Sequence, residues 1–173
     1  MNTNPETGKQ RLEELRNEIP LPVLELYKYA GEACGKGDYL EAEKVALEGV
    51  TLAMADKSEA GRLWCLHILG NALFYLGKLA ESRKTHLEAL SLCQKLVLPS
   101  GIASSLNNLG LIDKEEGYFY EARKKFEKSI SIYNQLGSSR ESVVEKHLCD
   151  MENSNENTEP SGAGQPDDPS VTL

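Results

Sequence analysis

Histidine and cysteine are among the residue types in this chain that could serve as catalysts or metal ligands. The histidines are His67, His86 and His147, and the cysteines are Cys34, Cys65, Cys93 and Cys149. None of them forms a C-x-x-C pair or an H-E-x-x-H motif, and the sequence has no P-loop and no G-x-S-x-G element. The isolated cysteines predict buried, reduced thiols. We therefore predict that the chain is not an enzyme and holds no metal and no cofactor.

Asparagine and aromatic side chains offer binding chemistry instead. Asn71, Asn107 and Asn108 each carry an amide that both donates and accepts hydrogen bonds, so they can pair with the backbone of a peptide. Trp64 is the only tryptophan, and an aromatic side chain supplies a large contact area at low entropic cost. Whether these residues act together depends on the elements that position them.

The elements follow a forty-residue repeat. Gly37, Gly77 and Gly117 are forty residues apart, and each is followed five residues later by a small residue. Three segments align without a gap: YAGEACGKGDYLEAEKVALEGV, LGNALFYLGKLAESRKTHLEAL and LGLIDKEEGYFYEARKKFEKSI. A fixed period of this length is typical of stacked repeats, in which each unit buries its apolar face only against its neighbours.

Each unit is predicted to form two helices joined by a tight turn. The glycine of each turn supplies the left-handed conformation that ends a helix. Asp38 with Glu41, and Ser138 with Glu141, have the spacing of helix-capping pairs. The predicted helices span residues 23–36, 39–55, 60–76, 79–96, 101–116, 119–136 and 139–151.

Small residues recur where two helices must approach closely. They are Ala30, Gly70 and Gly110 on the first helices, and Ala42, Ser82, Ala122, Gly49, Ala89 and Ser129 on the second helices. Side chains this short allow two helix axes to come close together. Larger apolar residues are expected to fill the space around them, namely Tyr29, Leu69, Leu109, Leu47, Leu87, Tyr118 and Phe126.

This pattern resembles the tetratricopeptide repeat. The segments LGNALFYLGKLAES and LNNLGLIDKEEGYFYEARKKFEKSI are similar to it, and the first unit is more degenerate. The forty-residue period resembles the long-helix subclass of kinesin light chains, spindle-orientation adaptors and bacterial signal-dependent regulators. The resemblance covers residues 23–136 and implies an all-α fold, an α-solenoid of three helix pairs with flanking helices. An ordinary helical bundle is the alternative, but it does not explain the register.

The ends of the chain differ in composition from the repeats. Leu12, Leu15 and Ile19 can dock a short polar helix at the N-terminus, and Val144 and Leu148 fit the inner side of a closing helix. The last residues are rich in Asn, Ser, Gly, Pro and acids, which predicts disorder. The predicted organisation is an N-terminal segment at 1–22, repeat units at 23–58, 59–98 and 99–137, a capping helix at 138–151 and an acidic tail at 152–173.

In the family that the chain resembles, the first helices line a concave groove that holds a peptide or helix of a partner. The resemblance implies that the groove positions here are Tyr27, Trp64, His67, Asn71, Phe74, Ser104, Asn107, Asn108, Leu111 and Lys114. The alternative is that these side chains only cap the core or lie on helix surfaces. A carboxylate-clamp subtype needs cations where this chain has His67, Val144 and Leu148, so we predict that the clamp is absent.

The net charge of −8 is concentrated near the C-terminus. Residues 150–173 hold six acids and no bases, which leaves the rest of the chain close to neutral. The sequence therefore predicts neither nucleic-acid binding nor membrane insertion, since it has no basic footprint and no long apolar run. The N-terminus lacks the apolar core of a signal peptide, which predicts a cytoplasmic or nuclear protein.

These observations predict a non-enzymatic protein–protein interaction adaptor with protein or peptide partners, and they favour a monomer. Two alternatives to this function stay open. The chain could associate with itself through Val143 and Val144 of the closing helix, or it could be a shortened form of a longer repeat protein. The final residues Val171, Thr172 and Leu173 also match a loose form of the ligand that PDZ domains bind.

Overall fold

The computed structural model describes residues 5–156, with side chains described for residues 10–153. Every regular element in this range is an α-helix, and none of these helices is long and apolar enough to cross a membrane. The helices are α1 (Pro5–Asn17), α2 (Leu21–Gly35), α3 (Tyr39–Ala55), α4 (Glu59–Tyr75), α5 (Leu79–Lys95), α6 (Pro99–Glu115), α7 (Phe119–Gln135) and α8 (Glu141–Glu156). They confirm the all-α fold that the repeat predicts.

The forty-residue period follows from uniform helix lengths. Helices α3 to α7 have 17 residues each, and each connection within this series has three residues. Gly37, Gly77 and Gly117 have φ values of 81°, 73° and 82°, which confirms their predicted left-handed conformation. Lys57 and Val97 adopt the same conformation in the connections between pairs, with φ values of 56° and 55°. The chain thus reverses direction at a left-handed residue every twenty residues.

The helices form three pairs, α2 with α3, α4 with α5, and α6 with α7. The second helix of each pair also packs against the helix that follows it. All nine small residues predicted at the helix contacts are buried. A Cβ atom on Gly70 would lie 2.6 Å from the ring of His86, and one on Gly110 would lie 2.7 Å from the ring of Phe126. Glycine is therefore required at these two positions because the second helix presses a ring against the backbone of the first.

The larger apolar residues follow the prediction only in part. Leu69, Leu109 and Phe126 are buried as expected. The prediction was wrong for Tyr29, Leu47, Leu87 and Tyr118, which are all more than half exposed. Two of them, Leu47 and Leu87, lie on the side of α3 and α5 that faces away from the neighbouring helices. Tyr29 occupies the position of the buried Leu69 and Leu109, but no repeat pair precedes α2 to cover it among the described residues.

A buried carboxylate joins the second and third pairs. Asp113 is 2% exposed and lies on α6, where the first and second pairs have Ala33 and Leu73. Its Oδ1 atom lies 2.6 Å from Nη1 of Arg83 on α5, and its Oδ2 atom contacts Nζ of Lys125 on α7. This ion-pair cluster therefore spans three helices.

Ion pairs also connect each pair of helices to the next at repeat spacing. Glu43 pairs with Lys78 at 2.6 Å, forty residues later Arg83 pairs with Glu116 at 2.6 Å, and forty residues later again Arg123 pairs with Glu152 at 2.7 Å. The first residue of each bridge keeps the forty-residue register, whereas the partners Lys78, Glu116 and Glu152 are 38 and 36 residues apart. The third bridge is partly exposed and contributes little energy.

The flanking helices close the ends of the core. Leu15 and Ile19, at the end of α1 and just after it, are buried, and Leu12 packs against the same cluster. Val144 and Met151 on α8 are buried against α6 and α7. Helix α8 runs to Glu156, five residues beyond the predicted Met151, because Met151 is still anchored in the core. The rest of the predicted disordered tail, residues 157–173, lies outside the described residues.

Candidate functional site

The candidate site is the exposed side of the first helices α2, α4 and α6. We call it the first-helix face and define it by the ten predicted groove residues. Their positions share the forty-residue register, as shown by Tyr27, His67 and Asn107. Each of the ten side chains is half-buried, so each combines anchoring contacts with a surface open to a ligand. The complete set is Tyr27 on α2, Trp64, His67, Asn71 and Phe74 on α4, and Ser104, Asn107, Asn108, Leu111 and Lys114 on α6.

Aromatic rings dominate the part of this face formed by the first two pairs. The rings of Tyr27 and Trp64 lie 5.5 Å apart with a tilt of 47°, and both pack against the core cluster. Further along α4, Phe74 meets the edge of Tyr75 at 5.5 Å, and Tyr75 stacks on Tyr39 at 4.7 Å. The tilted pair and the edge-to-face pair have arrangements that aromatic rings prefer. The contacts of Tyr27 and Trp64 with each other and with the core therefore restrict these two rings before a ligand binds.

A chain of hydrogen bonds crosses the part of the face formed by the third pair. His147 on α8 donates from Nδ1 to Oδ1 of Asn107 at 2.9 Å. The amide oxygen can only accept, so the proton of the neutral imidazole is assigned to Nδ1. Asn107 donates from Nδ2 to Oδ1 of Asn108 at 3.4 Å, and Asn108 donates from Nδ2 to Oδ1 of Asn71 at 3.0 Å. The three hydrogen bonds all run in one direction, from donor to acceptor, from His147 towards Asn71. Its terminal amide, Nδ2 of Asn71, is thereby oriented as a donor.

His147 belongs to the candidate site although the sequence did not predict it there. It lies on α8, outside the ten predicted positions, and begins the hydrogen-bond chain. The signal was present in the sequence, because His147 follows Asn107 by forty residues. Burial lowers the pKa of His147, as do the charges of Lys114 and Lys146, while Asp150 opposes them. The neutral imidazole is thus favoured, with Nε2 as an acceptor.

His67 is uncharged on the first-helix face. Its Nε2 atom lies 3.9 Å from Sγ of Cys93, and burial is the main reason that its pKa falls to about 4, with the charge of Arg140 adding to the effect. A carboxylate clamp needs a cation at this position. Val144, at a second clamp position, is buried in the core. Both observations agree with the predicted absence of the clamp.

The prediction of buried thiols is right for Cys65 and Cys93 and wrong for Cys149, which is exposed, while Cys34 is half-buried. Burial raises the pKa of Cys65 and Cys93 to about 11, so both thiols stay protonated at neutral pH. His86 lies against Gly70 inside the core, and burial lowers its pKa to about 3. Across the part of the chain that the structure describes, no cluster of three or more His, Cys, Asp or Glu side chains could hold a metal ion.

Comparison with solved structures places this arrangement among helical repeat proteins. The apo form of RapI superposes with a TM-score of 0.71 at 14% identity, over 78% of this chain and 50% of RapI. BtubC (BKLC) from P. vanneervenii superposes with a TM-score of 0.66 at 19% identity, over 87% of this chain and 65% of BtubC. The chain therefore spans half to about two thirds of the length of these two proteins. At such low identity the likeness concerns the fold alone.

Sequence comparison identifies the repeats themselves. No curated protein matches the sequence. The model of the tetratricopeptide repeat family matches residues 61–135, which include most of α4 and all of α5, α6 and α7. The two pairs in this segment carry the glycine turns and the small-residue contacts described above. Residues 61–135 of this chain thus match the tetratricopeptide repeat family.

Proposed function

We propose that this protein is a non-enzymatic interaction adaptor that binds a peptide or helix of another protein on its first-helix face. The observation that carries the proposal is the hydrogen-bonded amide chain beside the fixed aromatic pair of Tyr27 and Trp64. Members of this family generally bind other proteins and do not catalyse reactions, which supports a protein partner. A cytoplasmic or nuclear location is part of this proposal.

The two kinds of side chain have complementary tasks in such binding. The Oδ1 atom of Asn71 accepts a hydrogen bond from Asn108, which fixes the orientation of the amide group. The Nδ2 atom of Asn71 can then donate to a backbone carbonyl of the ligand. Trp64 and Tyr27 offer apolar area at fixed positions, so a ligand loses little entropy in ordering them. A face of three helix pairs is small, and we expect affinities near 1 µM, or roughly −8 kcal/mol.

The test compares variants on this face with matched variants elsewhere. We expect Trp64→Ala and Asn108→Ala to lose the proteins that the wild-type chain captures from a lysate. Tyr118→Ala and Asn134→Ala remove the same kinds of side chain from exposed positions off the face, and they should retain those proteins. Circular dichroism establishes that each variant is folded. The proposal fails if the face variants and the control variants capture the same set.

Two other functions are alternatives to this proposal. Self-association through α8 would have to use Val143, which is exposed, because Val144 is buried and a polar residue there would disrupt the core. A shortened form of a longer repeat protein is the second alternative. Such a form would keep only part of a binding face and bind a partner more weakly. The C-terminal residues 171–173 lie outside the described residues.

A further inference from the structure

The first-helix face has a single formal charge. Of the ten residues that define this face, Lys114 is the only Asp, Glu, Lys or Arg. Helix α4 from residue 63 to its end, and α6 from its start to residue 112, contain none of these four residue types. Glu59 and Arg62, at the start of α4, both form ion pairs with residues of α5. Lys114 therefore brings a positive charge to a surface that is otherwise neutral on α4 and α6.

Lys114 has no counter-charge within the part of the chain whose side chains are described. None of the ion pairs there includes it, although its side chain is half-buried. The preceding residue, Asp113, is engaged by Arg83 and Lys125 in the interior. The lysines of the second helices differ, since Lys95 and Lys125 each contact a carboxylate. The charge of Lys114 is thus available to a ligand.

The position of Lys114 places it beside the amide chain. Asn107, Leu111 and Lys114 follow one another on α6 at intervals of four and three residues, so they lie on one side of the helix. The seven residues from Asn107 to Lys114 correspond to about 10 Å along the helix. An extended peptide covers this length with about three residues. A peptide that bonds to the amide chain can therefore also reach Lys114.

The charges near the amide chain are mainly positive. His147 begins this chain, and its imidazole senses the surrounding charges. After burial, the charge of Lys114 has the largest effect in lowering the pKa of His147, and the charge of Lys146 acts in the same direction. Asp150 is the one acid that opposes these two cations. This end of the first-helix face therefore favours an anionic group.

We propose that the ligand of the first-helix face places an aspartate or glutamate side chain against Lys114. This inference rests on the proposed function of the face and names the chemistry of the partner. A ligand that covers Lys114 removes water from its charge, which is costly unless a carboxylate takes the place of the water. A lysine, arginine or apolar residue of the ligand at this place is disfavoured, so Lys114 selects among ligands.

Selection from a phage library of random peptides tests the proposal with the full chain as the target. The library is displayed through the C-terminus of each peptide, so an enriched carboxylate belongs to a side chain. Peptides selected by the wild type should be enriched in Asp and Glu at one aligned position, relative to the unselected library. Lys114→Glu should reverse this preference to Lys and Arg, because the target charge is reversed.

The matched control for the selection is Lys128→Glu. Lys128 is an exposed lysine of α7, outside the first-helix face, so its variant should select acidic peptides as the wild type does. Circular dichroism establishes that each variant is folded. Wild-type peptides without enrichment in Asp and Glu would overturn the proposal. Equal acidic enrichment against Lys114→Glu would also overturn it.

Two variants of the face separate this inference from the proposed function. Trp64→Ala and Asn108→Ala should weaken the binding of the selected peptides. Peptides that need these side chains but have no acidic preference would reject the role of Lys114 alone. Peptides that bind both variants as well as the wild type would reject the proposed function, and this inference with it.

The amide analogue of a selected peptide measures the pairing with Lys114. Replacing the enriched acid by its amide should weaken binding to the wild type about tenfold. The same replacement should leave binding to Lys114→Ala unchanged, because the partner of the carboxylate is already absent. An equal loss of affinity in both proteins would contradict a contact between the acid and Lys114.

The pKa of His147, followed by NMR, is an independent measure. The charged groups around its ring are Lys114 on α6 and Lys146 and Asp150 on α8, while α7 contributes the uncharged ring of Phe126 at 6.1 Å. A carboxylate bound at Lys114 offsets a positive charge, so the pKa of His147 should be higher with the acidic peptide than with its amide analogue at saturation. The analogue controls for the burial that any peptide causes. Equal pKa values in the two complexes would contradict the proposal.

Discussion

The buried carboxylate Asp113 offers the sharpest test of how the repeat pairs are held together. Its side chain is 3% exposed, and it contacts Arg83 and Lys125. In Asp113→Asn the shape of the side chain is kept, but an amide carries no charge and presents two N–H donors. At least one of the two cations then loses its acceptor. We therefore expect Asp113→Asn to lower the free energy of unfolding.

The structure sets the magnitude of this loss. Removing one partner of a buried ion pair costs about 3–5 kcal/mol when the remaining charge has no other contact. Here Arg83 keeps its 2.6 Å contact with Glu116, and the side chains of Arg83 and Lys125 are 28% and 26% exposed. Solvent therefore offsets part of the cost, and we expect a loss of about 2–3 kcal/mol. For a chain of this size the melting temperature should fall by roughly 5–10 °C.

Thermal and urea denaturation followed by circular dichroism measure the effect. The matched variant is Asp113→Leu combined with Lys125→Met, which replaces the charged contact with apolar groups, as Leu73 does at the same position of the second pair. It should recover most of the stability, because a well-packed apolar substitute for a buried ion pair is often neutral. A change below about 0.5 kcal/mol in Asp113→Asn would refute the reasoning, since that is the range of an ordinary surface substitution.

Two further predictions concern local strain and buried histidines. Val97 is a β-branched residue with φ at 55°, a conformation that strains its side chain. We therefore expect Val97→Gly to raise the free energy of unfolding, measured by urea denaturation, by about 1 kcal/mol. An unchanged or lower free energy of unfolding would show that the turn is unstrained. The pKa values of His67 and His86 are lowered in the folded state to about 4 and about 3, so the unfolded chain binds more protons below about pH 6.5. The stability should therefore be complete above pH 6.5 and fall towards pH 4, by roughly 3 kcal/mol for His67 alone. His86→Phe introduces the residue that the third pair has at the equivalent position, Phe126. This variant should lose less stability than the wild type between pH 7 and pH 5 in denaturation curves. An equal loss of stability would count against a buried neutral His86.

Local sequence signals predicted the fold well because the repeat depends on local geometry. A glycine that ends a helix and a small residue at a helix contact each act within one pair, so Gly37 and Gly70 could be assigned from spacing alone. The exposed positions were harder to predict. Apolar character in Leu47 indicates burial on average, but only the packed helices show that this side faces outward. The left-handed conformation of Val97 was likewise invisible, since valine seldom adopts it.

The candidate site was predicted as a set of positions and not as a network. The register of the repeat indicated Asn71, Asn107 and Asn108 as neighbours, but it could not show that their amides bond to one another in one direction. That direction depends on His147, which α8 brings to the end of the chain. Side-chain hydrogen bonds between helices depend on the tertiary structure, so no local pattern encodes them.

The fluorescence of Trp64 tests the proposed binding face most directly. It is the only tryptophan in the chain and lies half-buried on that face, so its emission reports on a ligand bound there. A peptide from a captured partner should shift the emission with a dissociation constant near 1 µM, and Asn108→Ala should weaken binding about tenfold, or 1.4 kcal/mol, while Asn134→Ala leaves it unchanged. If calorimetry detects binding of the peptide while the Trp64 emission and the Asn108→Ala affinity stay unchanged, the ligand binds elsewhere and the account is contradicted.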